Sequence, residues 1–281
     1  MGLFGFNNNN GRGVSKEDVD KSGPSLYFDI FFRKFWDFLK VNLFYIIASI
    51  PSIIVWGVIS SFLITLLAHN SAIDVMENAN SLWVIYMFLT VILVSVFGTG
   101  APSASMAYAM HNFVNDTHTF VVSDFIDNYK SNFLQATAVF VIDALVFSLC
   151  GFAFMFYTKL GGALGIFFRT AISVFLIGYG MLHMYIYPIM AKFRLKLRDI
   201  YRNALFLMMA KLFTNIATFA VSALIIYAVV VFAATSPIGI LVMIVIYLPV
   251  LIFTQMFMIN NVIKELLLKP SLEAQKNATN D

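Results

Sequence analysis

Charge is the first thing this sequence has little of. Asp, Glu, Lys and Arg make up 12% of its 281 residues, about half of the ~25% usual in soluble domains. Hydrophobic residues account for 60% and mean hydropathy is +0.84. A soluble chain this apolar could not cover its own surface, so a soluble enzyme or binding module is excluded and a polytopic helical membrane protein is indicated. Cysteine is nearly absent: Cys150 stands alone, which excludes an intrachain disulfide framework. The four histidines (His69, His111, His118 and His183) show no paired metal-ligand spacing. No His-Glu-x-x-His and no Gly-x-Ser-x-Gly motif occurs. Neither a catalytic residue, a metal nor a cofactor is expected, and the chain is not read as an enzyme. Gly98-Thr99-Gly100 begins like a phosphate loop, but no Gly-Lys-Ser/Thr follows and no basic neighbour would neutralise a phosphate. The net charge of +3 is not gathered into a nucleic-acid patch, so no nucleic acid is expected among the partners. The opening MGLFGFNNNNGRGVSKEDVDKSGP has no apolar run and no signal-peptide cleavage pattern, so the first helix to enter the membrane should remain as an anchor.

Apolar length is present instead. A crossing of about 30 Å needs roughly 20 apolar residues, and six stretches qualify: Val41–Leu66, Leu82–Met110, Phe133–Tyr157, Leu164–Ala191, Leu212–Ala234 and Ile238–Asn260. All but Lys159 and Arg169 of the 18 Lys and Arg residues fall in the N-terminal segment, the second and fourth connections and the C-terminal end. The positive-inside rule then places both termini in the cytoplasm. The organisation expected is a polar, disordered cytoplasmic N-terminus (1–24), one six-helix membrane domain (25–268) and a cytoplasmic tail (269–281).

Three segments read as helices lying on the inner surface, in contact with the lipid bilayer. In SLYFDIFFRKFWDFLK, Asp29, Arg33 and Asp37 form one stripe at i, i+4, i+8 among many aromatics, which suits the interface. In SDFIDNYKSNF, Ser123 is a candidate N-cap with Asp124 in the first turn, predicting a short amphipathic helix before the third span. KFRLKLRDIYRNALFL carries Lys192, Arg194, Lys196, Arg198 and Arg202, an inner-surface basic patch that would face anionic headgroups at about 1 kcal/mol per charge; docking of a cytoplasmic protein is the competing use. The fold class is therefore all-α: three helical hairpins, each entered by a cytoplasmic interfacial helix.

Ionisable groups at membrane depth are costly and face the bundle interior. Asp143 lies about 15 Å in from the inner end of the third span and His183 about 12 Å in from that of the fourth. Gln255, Thr99, Ser103 and Ser105 fall at comparable inner-half depths. These six residues form a candidate intramembrane polar cluster lining an inward-facing cavity. The bland reading is interhelical hydrogen bonding alone, at about 0.6 kcal/mol per bond. In GTGAPSAS, Pro102 removes a donor and crowds the Gly98 carbonyl, so a bend is expected between Gly98 and Ser103. Gly100, Ala104 and Ala107 make a smooth face for close helix packing.

FFRKFWDFLKVNLFYIIASIP, GTGAPSASMAYAMHNFVNDTHTFVVSDFIDNYKSNFLQA and YPIMAKFRLKLRDIYRNAL together resemble the YesL-like family of small multi-pass bacterial membrane proteins, defined by a domain of unknown function. Asp124-Phe125, Lys130, Asn132 and Phe133 match its connecting pattern, whereas His111 stands where members usually carry Arg or Lys. The resemblance implies no catalytic residues. It does imply a setting: members are often encoded beside carbohydrate-uptake genes, so membrane or cytoplasmic subunits of a sugar ABC transporter are expected partners. An accessory or regulatory component of carbohydrate uptake is the leading expectation, and a small-solute transporter or channel using the inner-half polar cavity is the alternative.

Overall fold

In the computed structural model, described over residues 23–70, 79–117 and 120–268, the described residues are all-helical. The polar N-terminus up to residue 22, the loop bearing Asp74 and Glu77, His118 and the tail from residue 269 lie outside these. The helices are α1 Pro24–Arg33, α2 Phe35–Asn70, α3 Ala79–Phe97, α4 Ala101–Val114, α5 Val121–Leu160, α6 Gly162–Lys192, α7 Leu197–Ala210, α8 Leu212–Thr235, α9 Pro237–Val242 and α10 Leu248–Ile263, with π-helical turns at Met243–Tyr247 and Lys264–Leu268. Among the described residues five stretches are long and apolar enough to cross a membrane: Phe35–Leu66, Val121–Leu160, Gly162–Lys192, Leu212–Thr235 and Pro237–Leu267. A sixth appears if Leu89–Phe97 and Ala101–Val114, bent by 62°, count as one broken span.

The polarity of the packing is inverted relative to a water-soluble protein. On α5, Val141, Leu145, Leu149, Phe152 and Phe156 recur at helical spacing and are exposed. Asn42, Ser49, Ser60, Thr99, Ser103, Asp143, His183, Asn215, Thr218, Ser222 and Asn260 are buried. Apolar stripes of that extent outside and polar groups inside are what a lipid solvent selects.

The short amphipathic helix expected to lead into the third span is continuous with it, forming the start of the 40-residue α5. Nothing in the first turns of α5 stops the helix, because no Pro or Gly separates Val121 from the apolar run. Ser123 does not cap it. The Phe120 N–H donates instead to Asp124 Oδ2 at 3.0 Å, an acid in the first turn satisfying a free amide. By its contacts the chain divides into two compact units, up to Phe35 and from Trp36 onward. α1 belongs to the first, with Phe31 edge-on to Phe32 and Phe35.

α4 occupies the middle of the larger unit. Every residue from Ala101 to Phe113 except Tyr108 is buried, and α4 packs on α5, α6 and α10. Its first turns are Ala, Pro and Ser, and small side chains let neighbouring backbones approach where no hydrophobic force separates helix from lipid. The last span is irregular for a reason. Pro249 has no N–H to give the Val245 carbonyl, and the Asn42 amide from α2 supplies the missing donor, reaching Val245 O at 2.7 Å and Ile244 O at 2.8 Å. The helix widens to π geometry at that point, as helices do when a ladder bond is replaced. Asn215 plays a similar part at the α7–α8 corner, donating to Leu207 O at 3.1 Å and Met208 O at 2.8 Å while accepting from Tyr185 Oη. Asn115 and Asn260 exchange amide hydrogen bonds between α4's C-cap and α10 at 3.2 and 3.0 Å.

Candidate functional site

The break between α3 and α4 is made by two glycines. Gly98 and Gly100 hold φ of +77° and +81°, the left-handed region that L side chains avoid. A side chain at Gly98 would also collide, and one at Gly100 would be tight against the backbone of α5. A Cβ at Gly98 would lie 2.6 Å from Ser103 Oγ and 2.8 Å from Tyr187 Cε2; one at Gly100 would lie 3.2 Å from the Ala136 carbonyl. The helix restarts at Ala101 with Pro102 in its first turn, where a missing N–H costs nothing. The bend therefore falls where the sequence places it, between Gly98 and Ser103. Its cause differs: the glycines break the ladder and the proline restarts it.

A break at membrane depth must satisfy its freed backbone groups from within the protein. Trp56 Nε1 donates to Gly98 O at 2.9 Å, Ser52 Oγ to Thr99 O at 2.9 Å, and Tyr187 Oη to Phe97 O at 2.9 Å. The Thr99 N–H donates to Ser103 Oγ at 2.8 Å. Thr99 Oγ1 joins Ser49 Oγ at 2.8 Å and donates to Tyr45 Oη at 3.0 Å, and Tyr45 reaches Ser103 Oγ at 3.3 Å. Donors from α2 and α6 thus hold the broken span from both sides.

Asp143 and His183 come together next to this junction. His183 Nε2 stands 2.9 Å from Asp143 Oδ1, with both side chains essentially inaccessible. Tyr179 Oη donates to the same Oδ1 at 2.7 Å. The imidazole is turned so that its N–H is not directed along the short contact. Both ring nitrogens and Asp143 Oδ2 are left without a hydrogen bond. Phe97 lies edge-on to His183 at 5.4 Å between ring centroids, and the Tyr179 ring at 4.9 Å. Tyr201 on α7 completes the group. Its buried hydroxyl makes no hydrogen bond of good geometry, although it interacts with Tyr179. Burial, and then the Asp143 charge, push the Tyr201 phenol up to about 12, so it is a neutral donor facing a carboxylate. Acid, imidazole and two phenols held in an apolar wall can bind a polar group or relay a proton.

The six residues of the predicted cluster fall into separate sets. Thr99 and Ser103 belong to the break. Asp143 and His183 form the pair. Gln255 Nε2 donates to Ser222 Oγ at 3.1 Å, linking α10 to α8. Ser105 donates back to Ala101 O at 3.2 Å within α4. A cavity of about 240 Å³ joins three of these sets, since Ser103, His183 and Gln255 all line it. Ala104 is buried in α4, as expected of a packing residue. Lys192, Arg194, Lys196, Arg198 and Arg202 are all exposed at the end of α6 and on α7. Tyr179, Tyr201, Tyr45 and Trp56 escaped the sequence reading. Tyr179 carried a signal, being one helical turn before His183 and so on the same face. Trp56 and Tyr201 carried none, because each meets its partner across tens of residues.

A family model described as "Protein of unknown function, DUF624" matches residues 78–156. Over that stretch, which contains α3, the break, α4 and Asp143, the chain is similar to a family whose function is not established. No curated protein and no solved structure matches the chain.

Proposed function

We propose that the protein is a non-enzymatic, multi-pass component of the bacterial cell membrane that acts as an accessory or regulatory partner in carbohydrate uptake. In this reading both termini are cytoplasmic, three helical hairpins are entered by interfacial helices, and the partner docks from the inner side. The observation that carries it is the surface around α7. Five basic residues, Lys192 to Arg202, are exposed, and Leu205, Phe206 and Met209 are exposed beside them, while Ile200, Ala204 and Leu207 anchor the helix to the bundle. A face both cationic and apolar, fixed on a buried stripe, suits anionic headgroups and a docking subunit alike. The carbohydrate setting is supported by the resemblance to the YesL-like family.

Affinity purification from the native membrane tests this. Subunits of a sugar ABC transporter should co-purify, and Arg198→Glu with Arg202→Glu should reduce their recovery at least fivefold. Unchanged recovery in the charge-reversed protein, or none in the wild type, would contradict it. Reporter fusions should report both ends of the chain in the cytoplasm.

One observation favours a second reading, a small-solute transporter or channel: a cavity lies against a discontinuous helix, and transporters build their sites there. Flux through the reconstituted protein, with and without a pH gradient, separates the two.

A further inference from the structure

We propose that the cavity beside the broken span is a binding site for a small neutral amphiphile from the lipid phase, carrying a single hydrogen-bonding head group. This does not rest on the carbohydrate setting, and it narrows what the second reading could carry.

Size comes first. An apolar cavity of about 150 Å³ holds a benzene ring, so about 240 Å³ accommodates roughly ten non-hydrogen atoms. The walls come next. Val96, Met184, Phe219, Ile226, Ile252 and Met256 dominate the lining, and methionine adapts to irregular apolar shapes.

Most of the polar lining is already engaged. Ser95 Oγ bonds Val91 O and Tyr247 Oη. Ser103 accepts from the Thr99 N–H. Ser222 donates to Thr218 O and accepts from Gln255. Tyr187 donates to Phe97 O. What is left is the remainder of the Gln255 amide and the hydroxyl of Tyr227, which also lines the cavity; His183 Nδ1, without a hydrogen bond as well, is buried out of reach. A monosaccharide would bury several hydroxyls with almost nothing to receive them, a cost that excludes it. One hydroxyl or amide head can be served.

Charge points the same way. Among the described residues no Lys or Arg lines the cavity, so a carboxylate ligand would find no permanent cation to pair with. Access is lateral. Tyr227 lines the cavity yet is 63% exposed, and Ala223, one turn earlier, is exposed as well. They sit on the outer flank of α8 with Leu224 and Val231, also exposed. That flank is apolar, so a ligand enters from lipid.

The test uses the full chain in phosphatidylcholine nanodiscs, photolysed with 3-azioctanol and mapped by peptide mass spectrometry. Adducts should concentrate on cavity residues of α6, α8 and α10, around Met184, Ile226 and Met256. Excess 1-octanol should reduce them at least tenfold, octanoate and glucose less than twofold. Ala223→Trp, at the exposed mouth, should lower labelling at least fivefold. The competition series in the wild-type protein stands even if that variant does not fold. Adducts spread along the exposed flank and insensitive to 1-octanol would overturn the proposal, as would glucose or octanoate competing as well as 1-octanol. Loss of transporter co-purification would leave these results unchanged, so the two proposals fail separately.

Discussion

Gly98 is the residue on which the broken span turns. It has positive φ, and the space for a side chain is filled by Ser103 and Tyr187. An L residue there costs about 1–2 kcal/mol in backbone conformation alone, before the collision is relieved. Gly98→Ala should therefore destabilise the protein by about 2–4 kcal/mol, read as thermal unfolding in detergent. Gly178→Ala is the control: a Cβ there meets nothing within 4 Å, and the change should be neutral or slightly stabilising. Equal losses for the two would show that the break does not depend on the left-handed backbone.

The Asp143–His183 pair makes a second prediction at this scale. Removing one member of a buried polar contact leaves the other with fewer partners, at about 1–3 kcal/mol, although Asp143 keeps the hydrogen bond from Tyr179 when His183 is removed. Asp143→Leu and His183→Leu should each be costly singly. The double variant should cost less than their sum, with a coupling of about 0.5–3 kcal/mol in the double-mutant cycle. Strict additivity would mean the two side chains are neighbours without interaction. Both residues were legible in the sequence as ionisable groups in apolar runs. Their partners Tyr179 and Tyr201 were not, because a tyrosine in an apolar run looks the same whether it faces lipid or a carboxylate.

At the scale of the element, the last span depends on a side chain from the first. Asn42 gives Ile244 and Val245 the donor that Pro249 withholds. Replacing it by Leu takes the Asn42 donor from two part-buried carbonyls in a membrane-spanning segment, at about 1–3 kcal/mol each. Asn42→Leu should lower stability by about 2 kcal/mol or more and speed amide exchange across residues 243–255, with α5 unaffected. Unchanged exchange there would show the π turn to be self-supporting. A proline at position 249 withholds a donor from any helix, but the replacement lies some two hundred positions away and no local pattern points to it. The α5 entry segment is a different case. Its Asp and aromatic pattern predicts an amphipathic helix leading into the third span, and because no Gly or Pro interrupts it that helix runs on into the span.

At the scale of the whole molecule, class and span count follow from apolar length, because lipid constrains a chain more tightly than water does. The junctions were less legible: each is held by contacts between distant segments, as Trp56, Ser52 and Tyr187 hold Gly98-Thr99-Gly100. The broken span is a fixed junction sealed by side chains of α2 and α6, with the polar pair and the cavity built against it. Hydrogen–deuterium exchange of the full chain in nanodiscs, followed over residues 97–106, reads this out. In the wild-type protein this stretch should exchange as slowly as the neighbouring helices. Trp56→Phe, which frees the Gly98 carbonyl, should accelerate exchange there at least tenfold while α5 stays protected. Rapid exchange in the wild type, or no response to Trp56→Phe, would contradict it.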